Sequence, residues 1–207
     1  MIRRLALVAA LALAASACGG SSTPEPSTTR AALHGAVPNQ DQPRPSFQLV
    51  DTAGKPYDFA ARTKGRVTFL YFGYTHCPDE CPTSMADVAA ALRRVGPTIA
   101  DQVSVVFVTT DPWRDTKPVL RTWLDRFSPA FVGLTGSPTQ IAGAEVQMGM
   151  PISKRVAAPR SHGSGRYAVD HFAAVMAYGR DDRLAAFYPS GVSPGDIATD
   201  LQVLVKG

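Results

Sequence analysis

The sequence predicts one α/β domain: a central mixed sheet with helices on both faces, an N-terminal β-hairpin and an inserted loop. Two near-continuous apolar runs, Arg66–Tyr74 and Val103–Val108, are each followed by a segment with helical apolar spacing. That is the pattern of parallel strands covered on both faces. Later, two more strand-like runs flank a Gly-Arg-Asp-Asp turn before a last amphipathic segment. A length of 207 residues, 45% hydrophobic and 18% charged, suits one globular domain with tails.

Each element follows in order. Phe47–Asp51 alternates like a strand, Asp51–Gly54 is a turn signal, and Tyr57–Phe59 reads as the return strand. Arg66–Tyr74 is the first buried strand. Met85, Val88, Ala89, Leu92 and Val95 then fall on one helical face, and Gly96-Pro97 stops that helix. Val103–Val108 is the second buried strand. Lys117–Phe127 is helical, with Pro118 in its first turn and Leu120, Trp123, Leu124 and Phe127 on one side. Ala130–Leu134 is a short strand and Pro138–Val146 a helix. Gln147–Ala168 is polar and irregular, which predicts a loop. Phe172–Tyr178 and Leu184–Tyr188 form a hairpin through Gly179–Asp182, and Pro194–Val205 is the closing helix. A hairpin, then βαβαβα, then ββα is a thioredoxin-like order with an insertion.

Residues 1–17 read as an export leader. Arg3 and Arg4 precede an apolar run, Leu5–Ala15, too short to span a bilayer. Ala15-Ser16-Ala17-Cys18 is similar to a bacterial lipobox, with Ala15 where a larger aliphatic residue is usual. Gly19-Gly20-Ser21-Ser22 follows, as is common behind an acylated cysteine. The expectation is therefore lipidation at Cys18 and anchorage to the outer face of the cell membrane. Cleavage at Ala15-Ser16-Ala17, leaving Cys18 free, is the alternative. Residues 18–45 then read as lipidated cysteine and flexible tether, spanning about 25–30 Å for a random coil, with His34 solvated. The folded domain is expected over 46–207. The formal charge is +4, and Arg3 and Arg4 leave with the leader. So weak a balance, without a basic run bearing aromatics, makes no case for nucleic acid.

The chemistry lies in Gly73-Tyr74-Thr75-His76-Cys77-Pro78-Asp79-Glu80-Cys81-Pro82, where a buried strand gives way to a helix. Ligands bind at that end of the strands in open α/β sheets. Pro82 prefers the first helical position, which places Cys81 at the helix entrance and Cys77 in the preceding turn. Two sulfurs so close suit a disulfide or a shared metal ion. A helix N-terminus favours the thiolate, whereas Asp79 and Glu80 oppose it. A structural pair of core cysteines is the alternative, against which the flanking prolines and the strand-to-helix placement argue. With only three cysteines in the chain, a second Cys/His pair for a zinc ribbon is missing.

His171 follows Asp170 at the start of a strand whose leading loop lies beside the site in such a sheet. Two thiolates with one imidazole suit Cu(I), and hold Cu(II) with water or a carboxylate added. Zinc would want a fourth ligand. Asp170 is placed either to orient the imidazole or to complete the coordination sphere. A strand-edge histidine bonded to backbone is the alternative for His171. Asp111 and Asp115 read chiefly as turn and capping residues. Met148 and Met150 read as packing under a loop, His76 as a neighbour of the site, and Arg160 and His162 as solvated.

These residues resemble the SCO/SenC family, copper-handling proteins that assist cytochrome c oxidase assembly. Tyr74–Thr83 is similar to the family's cysteine signature, Thr110-Asp111-Pro112-Trp113-Arg114-Asp115-Thr116 to its second block, and Val169-Asp170-His171 to its third. The resemblance implies a thioredoxin fold with copper held by Cys77, Cys81 and His171. It also implies delivery to the CuA-bearing subunit of the oxidase, and in some members reduction of that centre's cysteines. Glu80 departs from the pattern, since many relatives carry an apolar residue there. Two functions therefore compete: a copper-binding assembly factor, and a membrane-tethered thiol–disulfide oxidoreductase using Cys77 and Cys81 as its redox pair. A peroxidase ranks third, for lack of an arginine near Thr75 in sequence.

Overall fold

The computed structural model describes residues 33–157 and 167–207. The leader, Cys18, Arg160 and His162 lie outside the described residues. No helix among the described residues is long and apolar enough to cross a membrane.

The chain runs β1 (Gln48–Asp51), β2 (Pro56–Asp58), α1 (Phe59–Thr63), β3 (Val67–Gly73), α2 (Glu80–Val95), α3 (Pro97–Ala100), β4 (Val103–Thr109), α4 (Lys117–Asp125), β5 (Val132–Thr135), α5 (Pro138–Gln147), β6 (Lys154–Val156), β7 (Ala168–Asp170), β8 (Ala174–Tyr178), β9 (Leu184–Pro189) and α6 (Pro194–Lys206). Seven strands form the main sheet in the order β2-β1-β5-β4-β3-β8-β9. β3, β4 and β5 are parallel; β1, β8 and β9 join antiparallel to their neighbours. The mixed α/β sheet expected from the sequence is present.

β3 is buried along its whole length because both its faces are covered. Val67, Phe69 and Tyr71 join Met85 and Val88 of α2, Leu120 and Leu124 of α4, and Ile197 and Leu201 of α6. Leu70 and Phe72 point the other way, toward Phe59 of α1 and Ile141 of α5. Met148 and Met150 are buried in this second core, and the Tyr178 hydroxyl donates to Met148 Sδ at 3.4 Å. Their packing role stands.

Four features depart from expectation. α1 and α3 are single-turn helices too short to show a period, and Pro97, expected to end a helix, starts α3. The segment expected to be a loop carries a ribbon, β6 antiparallel to β7, in register Lys154↔Asp170. His171 lies in the link between β7 and β8 and does not open a strand. Finally, residues 33–45 belong to the folded domain. Ala36 exchanges backbone hydrogen bonds with Phe187 (2.9 and 2.8 Å), and the Gln42 carbonyl accepts from Leu184 N (2.9 Å). This strap covers the outer edge of β9, which would otherwise expose unpaired backbone.

Two buried charges fasten the strap. The Arg44 guanidinium reaches Asp182 (2.8 Å), Thr63 (3.0 Å) and the carbonyls of Arg66 and Gly179 (2.9 and 3.0 Å). Asp200 of α6 is fully buried and accepts from the backbone N–H of His34 and Gly35 and from the Tyr188 hydroxyl (2.8 Å). The His34 ring lies 2.8 Å from the same carboxylate, so His34 is a clasp rather than a solvated tether residue. Composition flagged the segment as tether because its hydrogen bonds are to backbone and leave no apolar period.

Candidate metal centre

The site forms where β3 ends. Gly73 allows a close approach: a Cβ there would sit 2.6 Å from Tyr71 Cε1 and 2.8 Å from Cys81 Sγ. After Tyr74 the chain turns, with Cys77 N donating to Tyr74 O (3.2 Å), and α2 begins at Glu80. Cys81 is thus the second helical residue and Pro82 the third, two positions deeper than the proline preference alone indicated. Pro82 remains in the first turn, where no intrahelical N–H bond is lost.

Cys77 is half-buried and Cys81 fully buried, and both are free thiols. The Cys81 backbone N–H donates to Cys77 Sγ at 3.3 Å. The Cys81 side chain, His171, and the backbone N–H groups at the helix start hold the Cys77 thiol down at about 4. Burial, and then the neighbouring Cys77, push the Cys81 thiol well above its ordinary value. The pair is therefore asymmetric, with one half-buried sulfur poised as thiolate and one fully buried sulfur held as thiol.

His171 completes the cluster. Its Nε2 lies 3.5 Å from Cys81 Sγ, although 90 residues separate the two in sequence. Its ring sits edge-on to Tyr71 and Tyr74, at centroid distances of 6.1 and 5.6 Å. The two sulfurs and a ring nitrogen lie within 4.8 Å of one another. Atoms bound to one ion at zinc-like distances of about 2.0–2.3 Å are at most about 4.6 Å apart. The cluster is thus within a few tenths of an ångström of ligating geometry. Of the expected site residues, Cys77, Cys81 and His171 come together.

Asp170 does not behave as expected. It is exposed, at the end of β7 opposite Lys154, and His171 Nδ1 is buried without a hydrogen-bond partner among the described residues. A strand alternates its side chains, so Asp170 points away from the face that carries the site. His76 is half-exposed and meets Thr75 Oγ1 (3.1 Å) and Asp115 (3.7 Å), as a neighbour should.

The two aspartates of the β4–α4 loop do more than turn the chain. Asp115 is fully buried and accepts from Thr75 N (2.9 Å), Thr75 Oγ1 (2.6 Å) and Thr109 Oγ1 (2.7 Å), which pins the cysteine turn to the end of β4. Asp111, also fully buried, accepts from the Tyr167 hydroxyl (2.8 Å) and from Arg114 Nε. The Arg114 guanidinium lies 3.7 Å over the Tyr167 ring and donates to the Tyr167 carbonyl (3.2 Å). Tyr167 immediately precedes β7, so this clamp ties the strand leading to His171 onto the same loop. The signal available in the sequence was two aspartates four apart at the end of a buried strand. The capping reading fails because α4 is preceded by Thr116 and takes no side-chain cap.

The comparison with known families decides between a generic dithiol fold and a more particular one. The SCO1/SenC family model matches residues 36–206. The chain belongs to the SCO1/SenC family. That match also begins inside the strap, consistent with residues 36–45 being part of the SCO1/SenC domain. A Stutzerimonas stutzeri protein named as copper-binding is 32% identical over 140 residues, covering 68% of this chain and 66% of that protein. A Rickettsia felis SCO2-like protein is 40% identical over 97 residues, 47% of this chain and 46% of its own length. The matched stretches span two-thirds or less of these curated relatives. Among solved structures, Bradyrhizobium japonicum ScoI with copper bound superposes with TM-score 0.66 at 34% identity, covering 77% of this chain and 98% of that one. Apo Sco1 from Thermus thermophilus superposes with TM-score 0.72 at 30% identity, covering 84% and 97%. The SCO1/SenC fold thus extends over nearly all of the described residues.

Proposed function

We propose that this protein is a copper-binding assembly factor, exported and held at the outer face of the cell membrane by an acylated Cys18. It carries one copper ion, its cargo, on Cys77, Cys81 and His171 and passes it to the CuA-bearing subunit of cytochrome c oxidase. One observation carries the reading: two sulfurs and an imidazole nitrogen converge within 4.8 Å at the end of β3. Soft thiolates with one imidazole select Cu(I). Family membership and the copper-bound relative support it, and the leader and Cys18 support the location.

The test is Cu(I) titration of the reduced protein against a competing chelator. Stoichiometry near one is expected, with affinity lower by at least about 100-fold in His171→Ala, since loss of a ligand should exceed loss of an outer partner. Unchanged affinity in His171→Ala removes the histidine and with it the carrier mechanism. Cys18→Ala is expected to release the protein from the membrane fraction. Deletion is expected to abolish oxidase activity, with rescue by added copper.

The asymmetry of the cysteines favours a second role at the same site. Cys77 thiolate attacks one sulfur of a partner disulfide, giving a mixed disulfide and expelling the other partner sulfur as thiolate. Cys81, after losing its proton, then attacks Cys77, forming the Cys77–Cys81 disulfide and leaving the partner with two reduced sulfurs. Copper loads only onto the reduced pair, so reduction of an acceptor and its metallation would be separate visits. Reductase activity unaffected by His171→Ala and by copper would make this the primary function.

A further inference from the structure

Two buried hydroxyl groups near the Cys81 sulfur make no well-formed hydrogen bond among the described residues. Tyr71 is 1% exposed and Ser84 5%, yet neither Tyr71 Oη nor Ser84 Oγ has a hydrogen-bond partner among the described residues. A buried hydroxyl without a partner loses its hydration uncompensated, so such groups call for a physical reason. Both residues neighbour Cys81. Tyr71 Cε1 and Cys81 Sγ crowd the space beside Gly73 from 2.6 and 2.8 Å. Ser84 lies three residues after Cys81, on the same face of α2. The chief influences on the Tyr71 phenol, after burial, are Cys81 and Ser84.

The chemistry of the Cys81 sulfur supplies the reason. A thiol is only a weak hydrogen-bond acceptor and satisfies the two hydroxyls poorly. Copper loading replaces the S–H proton with the metal and leaves a sulfur with thiolate character in a dry site. A buried anionic sulfur needs donors. We infer that the Tyr71 and Ser84 hydroxyls are the hydrogen-bond donors to the Cys81 sulfur in its metal-bound state, making them positioning residues that set how firmly copper is held. This rests on the copper reading above.

The idea has a sign that a packing role lacks. Tyr71→Phe deletes an oxygen that is unpaired without metal, so the metal-free protein should be as stable as wild type or slightly more so. Its Cu(I) affinity should fall about tenfold, the share of one hydrogen bond to a charged group. Ser84→Ala should fall in the same direction and the double substitution further. In the Cu(II) form, the sulfur-to-copper charge-transfer band should shift in Tyr71→Phe, since the sulfur's electron density changes. Denaturant unfolding, chelator competition and absorption spectra on the full-length protein supply the readouts. Unchanged affinity and an unshifted band in both single variants overturn the inference. So does a metal-free Tyr71→Phe that is less stable in proportion to its lost affinity, which is the mark of packing. If wild type itself fails to bind Cu(I), the copper reading fails instead.

Discussion

Asp115 offers the sharpest check on how the site is built. Substituting alanine removes a fully buried carboxylate and strands three donors, Thr75 N, Thr75 Oγ1 and Thr109 Oγ1, now 2.6–2.9 Å from its oxygens. Hydrogen bonds to a charged acceptor are each worth about 1.5–3 kcal/mol net, and the two hydroxyls can partly reorient. The expected loss is about 3–5 kcal/mol, a large part of the total stability of a domain this size. It corresponds to a fall in Tm of about 10 °C. Asp115→Asn keeps one acceptor for Thr75 N and Thr109 Oγ1, and Thr75 can turn its hydroxyl to accept, so about 1 kcal/mol is expected. Thr75 is two residues before Cys77, so freeing it should also lower Cu(I) affinity about tenfold in the alanine variant. Denaturant unfolding of the reduced, metal-free protein measures the first effect and chelator competition the second. If Asp115→Ala unfolds within about 0.5 kcal/mol of wild type, the carboxylate does not pin the turn and the account of the site's scaffold is wrong.

Three further outcomes follow from the same geometry. Gly73→Ala would place a Cβ against the Tyr71 ring and Cys81 Sγ at distances real atoms do not adopt, and neither neighbour can swing away; a loss of about 1–3 kcal/mol and weakened copper binding are expected from unfolding and titration. Cys77, held at about 4, should alkylate at a pH-independent rate from neutral down to about pH 5 and slow through pH 4. The sign for stability is that of a depressed pKa: the contribution is complete above the ordinary thiol value and is lost as pH falls toward 4, so metal-free, reduced protein should weaken on acidification. A Cys77 alkylation midpoint near 8–9 would contradict this. His34 has the opposite sign: its hydrogen bond to Asp200 raises its pKa, so its contribution is complete below the ordinary value and is lost as pH rises through the raised one. Proteolysis within residues 33–45 should accelerate with rising pH in wild type, and be fast at every pH in Asp200→Ala.

Local pattern made much of this protein readable. β3 and β4 are continuous apolar runs because both faces are covered, and α2, α4 and α6 carry their apolar residues at helical spacing; burial imposes those periods directly on neighbouring residues. The strand-to-helix position of Cys77 and Cys81 was legible for the same reason, as was the packing of Met148 and Met150. The misses are of another kind. α1 and α3 are shorter than any period, and β6 is exposed on all its residues, so no alternation marks it. The strap over residues 33–45 is held by backbone bonds and by two buried charges, Arg44 and Asp200, that composition counts as ordinary surface residues. Asp170 was assigned to the imidazole from adjacency alone, and strand alternation turned it outward.

By itself, then, the order of residues determined an α/β domain with two sulfurs four positions apart where a buried strand meets a helix, because those features depend on neighbours in the chain. The order of elements and the family resemblance already set His171, 90 residues on, beside them; tertiary structure alone decided that its nitrogen comes within 3.5 Å of Cys81 Sγ, that Asp115 reaches back 40 residues to hold the turn, and that two hydroxyls unpaired among the described residues lie near the buried sulfur. Contacts between distant segments depend on how strands are ordered in the sheet and how loops close over its end, and that ordering leaves no periodic trace in the sequence.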